Sequence, residues 1–273
     1  MALKATHIIK YEIDTPGFEG VEFTESSKDH LICPEAVEFA ADRNSVLQSL
    51  REAAAFRIEA EGKEYHADRN QPTRTGAIYF KNGNKFYVAF DDTPDPQQNI
   101  ILARVRGVVR GVYDANSNDC AWTLSKKDEH ISQILKRAEK SDRIVEVVES
   151  ALELATKANG GVSEFGSNKI VQALFGDVAE PYAAMLKSRT AMLKSSKYDK
   201  GSVYFMTPEM LGETVDEKNA VVRYVGLCHG KYDRISGVCA SCQFNYFGYA
   251  GYARGVRRAR EFSRITNLAE LTK

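Results

Sequence analysis

The stretch Gly76-Ala77-Ile78-Tyr79-Phe80-Lys81-Asn82-Gly83-Asn84-Lys85-Phe86-Tyr87-Val88-Ala89-Phe90-Asp91 is the strongest fold signal in the chain. Two aromatic-rich runs flank Asn82-Gly83. An Asn-Gly pair supplies the positive φ angles of a tight hairpin turn, so the stretch predicts an antiparallel pair of strands. Next comes Asp91–Gln98, with Pro94, Pro96, Asp91, Asp92 and Asp95. It reads as a loop, and Asp91 and Asp92 read as turn residues rather than metal ligands.

Outward from the hairpin, further elements follow from periodicity. Asn99–Asp114 alternates as a strand, with Arg104, Arg106 and Arg110 on one face and Ala103, Val105, Val109 and Tyr113 on the other. Upstream, Thr6–Ile13 and Val21–Thr24 read as strands. Pro34 opens a helix whose apolar stripe runs through Val37, Ala40 and Ala41 and continues through Val46, Leu47, Leu50 and Ala54 to Ile58. From Asp128 the period becomes helical. Four helices are expected: one on Ile131, Ile134 and Leu135; one capped by Ser141 with Ile144, Val147 and Val148; one capped by Ser167 and closed by Gly176; one with Pro181 in its first turn. Strand-like runs return at Ser202–Met206 and Ala220–Val225. The fold class is α+β in three regions. Residues 1–125 form a mixed region with the hairpin, 126–200 a helical bundle, and 201–273 a cysteine-rich basic module.

The 273 residues carry 37 basic and 37 acidic side chains, which excludes both a polycation and an acidic tail. The balance is uneven. Residues 1–125 hold 14 basic and 19 acidic residues, whereas 228–273 hold 8 and 3. No apolar run reaches the ~18 residues of a membrane span. Residues 1–10 lack the apolar core of a secretory signal. A cytoplasmic protein without a membrane partner is expected.

The last region carries the chemistry-bearing patterns. Cys228 and His229 are followed, after nine intervening residues, by Cys239-x-x-Cys242. Three thiolates and one imidazole complete a closed tetrahedral site, so structural zinc is the expected cofactor. Buried thiols without metal are the alternative. Five aromatics follow, Phe244, Tyr246, Phe247, Tyr249 and Tyr252, which suit either core or a stacking platform. Read as a helix at 100° per residue, Arg254, Arg257, Arg258, Arg260 and Arg264 share one face, broken only by Glu261. Such a face repels itself and matches phosphate through planar donor forks.

These patterns predict a non-enzymatic subunit that binds DNA or RNA inside a nucleoprotein assembly. Phosphate would be held by the five arginines, with Arg104, Arg106 and Arg110 extending the path, and bases would stack on Tyr246, Phe247 and Tyr249. Two alternatives use the same residues or hidden ones: a scaffold whose basic helix docks on an acidic protein subunit, and a metal-dependent nuclease. The glycines of Gly161–Gly166 lack the preceding strand and the lysine placement of a phosphate loop. His66-Ala67-Asp68 has the wrong acid for a zinc deaminase. No catalytic residue is assigned.

Overall fold

The computed structural model describes residues 8–9, 18, 20–60, 69–105, 112–113, 122–147, 166–193, 202–204, 215–229, 236–242 and 251–258. Its strands in chain order are β1 (Ile8–Ile9), β2 (Val21–Thr24), β3 (Val46–Leu47), β4 (Gln71–Asn82), β5 (Lys85–Asp91) and β6 (Val112–Tyr113). They continue as β7 (Trp122–Ser125), β8 (Ile144–Glu146), β9 (Ser202–Tyr204), β10 (Asn219–His229), β11 (Ser236–Cys242) and β12 (Gly255–Arg258). The helices are α1 (Cys33–Ala41), α2 (Leu50–Glu59), α3 (Ile100–Val105), α4 (Glu129–Lys140), α5 (Lys169–Phe175) and α6 (Ala179–Leu193).

The hairpin forms as expected, with Asn82 opposite Lys85. Its two turn residues are Gly83-Asn84, one place later than the Asn-Gly reading. Gly83 takes φ +59° and Asn84 does not, the φ pattern of a type II′ turn with glycine first. The hairpin sits inside a large sheet of order β6-β7-β10-β4-β5-β8. β10 pairs with β7 along Asn219–Val222 and with β11 along Tyr224–His229, with a register shift between Tyr224 and Gly226. β9 joins β11 in parallel.

Strand alternation sends side chains to two separate cores. Ala77, Tyr79, Val88, Phe90, Val221 and Val225 face one layer, covered by α2, α5 and α6. Ile78, Phe80, Ala89, Ala220 and Val222 face the other, covered by α1, α3 and α4. Both faces are buried, so β4 is buried continuously from Gln71 to Phe80 rather than in alternation.

The mixed α+β class stands, but the helical bundle does not. α4 lies on one face of the sheet and α5 and α6 on the other, while β10, from the last expected region, pairs with β4 of the first. α4 follows its sequence signal closely. Asp128 caps it by accepting from the N–H groups of His130 and Ile131, and Ile131, Ile134 and Ala138 are buried. The helix expected after Ser141 is instead β8, which pairs with β5. Asp142 turns the chain at φ +51°, and Ser141 closes α4 rather than opening a helix. Residues 148–165 lie outside the described residues. Asn168, not Ser167, caps α5, and Gly176 closes it at φ +55°.

The long helix expected after Pro34 is interrupted. α1 ends at Ala41, Asn44 takes φ +48°, and β3 intervenes before Ser49 starts α2 with a capping box. Asn99–Asp114 also departs from its reading: it begins as α3. Asn99 Oδ1 accepts from the N–H groups of Ile101 and Leu102, at 3.0 and 2.9 Å, and Asp91 Oδ2 accepts from Ile100 N–H at 2.8 Å. Those caps and the burial of Ile100–Ala103 outweigh the β-branched composition.

A second sheet has the order β1-β2-β12-β3. β12, the last described strand, lies between two of the first. Gly255 has no room for a side chain there: a Cβ would stand 1.9 Å from Ser45 Oγ, which donates to Ala40 O at 2.7 Å. Gly255→Ala is therefore expected to lower stability by about 1–3 kcal/mol. Thermal denaturation checks it, and an unchanged midpoint would show that Ser45 swings clear.

Candidate functional site

The expected metal ligands lie on a strand pair, not on a knuckle. Cys228 is opposite Gly237, His229 opposite Ser236, Cys239 opposite Gly226 and Cys242 opposite Tyr224. Cys239-x-x-Cys242 is thus extended backbone held by β10. The side chains of all four lie outside the described residues. Among the described residues no group of three or more His, Cys, Asp or Glu is gathered as a metal centre needs. The cysteine-bearing residues 228–229 and 236–242 belong to strands of the large sheet rather than to a separate module, and the expected zinc falls on side chains outside the described residues. Cys33, at the start of α1, is a buried free thiol, and burial pushes its pKa up.

The arginine helix is also corrected. Residues 255–258 are β12, and a period of two replaces the period of 3.6. Arg254 is 1% exposed; its guanidinium lies 3.9 Å from the centre of the Phe56 ring, and it donates to Thr24 O at 2.9 Å. Arg257 is half-buried and donates to Arg43 O. Arg258 stands opposite Val21 in register. Arg104 is half-buried on α3. Arg106, Arg110, Arg260, Arg264, Tyr246, Phe247 and Tyr249 lie outside the described residues.

The structure does gather a polar cluster that the sequence reading missed. Arg74 projects from β4 onto Glu52 of α2, with Nη1 to Oε2 at 2.6 Å and Nη2 to Oε1 at 3.1 Å. Both side chains are at most 3% exposed. Glu52 also accepts from Ser49 N–H at 2.7 Å, and Arg74 donates to Leu47 O at 2.6 Å and Asp92 O at 2.9 Å. A forked pair with its remaining valences used is the arrangement in which a buried ion pair is tolerated.

Asp91 and Asp92 follow at the end of β5 and point to opposite layers. Asp91 meets Ile100 N–H and lies 3.6 Å from Arg137 of α4. Asp92 pairs with Arg143, which donates to Ala173 O of α5 at 3.0 Å. Burial pushes the Asp91 carboxyl up to about 6, against the pull of Ile100 N–H and Arg137. Burial also raises Asp92, but Arg143, Arg74 and Arg51 together bring it below the ordinary value. This cluster joins layers. Its groups are engaged with one another, so it is a structural element rather than a reaction centre. Arg74, directly before the apolar run Gly76–Phe80, was the available sequence signal.

The third feature is the join between the two sheets. Cys242 is fixed against Tyr224, and Tyr224 OH accepts from Thr73 N–H at 3.2 Å. Gly251 and Leu31 exchange both backbone hydrogen bonds, at 2.8 and 3.0 Å, and Tyr252 N–H donates to Asn70 O at 2.8 Å. A Cβ on Gly251 would lie 2.2 Å from Asn70 O. The aromatic-rich sequence 243–250 therefore begins and ends next to backbone paired with other segments.

No family model and no curated protein matches the chain. A solved structure that reports how the C-type lectin fold accommodates massive sequence variation in Nanoarchaeota is similar to it. The TM-score is 0.54 at 12% identity, over 85% of this chain and 96% of that one. The likeness is one of fold. It gives this chain a C-type lectin-like fold and overturns the expected nucleic-acid-binding subunit. The docking scaffold loses its helix, and the nuclease gains no metal group among the described residues. No helix among the described residues is long and apolar enough to cross a membrane.

Two predictions follow from the polar cluster. Glu52→Gln leaves Arg74 buried without its carboxylate, and about 3–5 kcal/mol of stability is expected to be lost in denaturant unfolding. A loss below about 1 kcal/mol would mean water reaches Arg74. The second concerns pH. Because the folded-state pKa of Asp91 is raised to about 6 from 3.8, its contribution is full below the lower value and lost as pH rises through the upper one. Asp91→Asn is expected to gain on the wild type by roughly 2–3 kcal/mol between pH 4 and pH 7. Urea unfolding of both proteins at four pH values reads this, and a constant difference would refute it.

Proposed function

We propose that the chain is a recognition module, which presents the aromatic segment 243–250 to the surface of a partner protein. The observation that carries the reading is the pair of anchors at Cys242 and Gly251. They bracket Phe244, Tyr246, Phe247 and Tyr249 within eight residues. Tyrosine and phenylalanine bring large contact area at small conformational cost, which is why they dominate protein-binding surfaces. A segment whose ends are fixed by backbone bonds leaves its own side chains free to be chosen for binding. The neighbouring structure supports this reading, since it concerns a C-type lectin fold that accommodates massive sequence variation.

The reading separates recognition side chains from scaffold, and that separation is measurable. Replacing Phe244, Tyr246, Phe247 and Tyr249 together by serine is expected to leave the thermal midpoint within about 3 °C of the wild type, as for surface positions. A display library randomised at the same four positions is expected to yield binders to a folded target protein. If the serine variant unfolds, the aromatics are core and the reading fails. A library that folds but yields no binder refutes it equally.

A further inference from the structure

We draw no further inference here: the strongest candidate, the partly exposed shelf of His30, Leu31 and Tyr252 beside the bridge to Gly251, is a surface patch for which nothing in the structure shows what covers it.

Discussion

The contact between Glu52 and Arg74 is the constraint on which the other elements converge. One carboxylate serves as half of the α2 capping box and as the partner of a cation that rises from the middle of the large sheet. The same guanidinium holds the backbone of β3 and of the residue after β5. Four segments, β3, α2, β4 and the end of β5, are thereby registered by one forked pair. Apolar packing alone is indifferent to small sliding of a helix on a sheet. Two parallel N–H···O bonds in a dry site are not. The neighbouring aspartates extend the arrangement, since consecutive strand residues point to opposite faces. Asp91 reaches α4 and Asp92 reaches the turn that carries Arg143 to α5.

The hairpin, β2, α1, α4 and the end of α5 at Gly176 were legible because local chemistry and tertiary need agree there. Asp128 caps α4, and Ile131 and Ile134 give it one apolar stripe. Where the reading failed, a long-range partner decided the outcome. Ile144–Glu146 has helical spacing with Val147 but is extended, because β5 offers it an edge. Asn99–Val105 has strand-like composition but is helical, because Asp91 and Asn99 accept from the N–H groups of its first turn. Arg254 and Arg257 lie on one face of a helical wheel, yet the slot between β2 and β3 makes residues 255–258 a strand, and the two arginines reach different partners, Thr24 and Arg43. A wheel assumes the period it is used to test.

Of the candidate site, the sequence showed composition but not placement. The aromatic segment and the cysteines were visible from the start. That Cys239-x-x-Cys242 is extended, and that Gly251 is pinned to Leu31, depends on pairings between distant residues. The uneven charge changes meaning in the same way. The basic excess near the C-terminus reads as a contact surface in the sequence, but Arg254 and Arg257 are drawn into the N-terminal sheet, where they bond to the backbone of Thr24 and Arg43. Part of the positive end meets the negative end inside the molecule.

The position of β12 has a consequence for how the protein is made. β2 and β3 are not neighbours in their sheet; each is completed by β12, and Gly255 bonds to Thr24 across 231 residues. At about 5–20 residues per second of synthesis, Thr24 waits roughly 10–50 s for its partner. During that interval β2 and β3 each present an unpaired edge to the cell. Among the described strands, those of the small sheet are thus the last to be completed during synthesis, and until then its edges stay open to pairing with another chain.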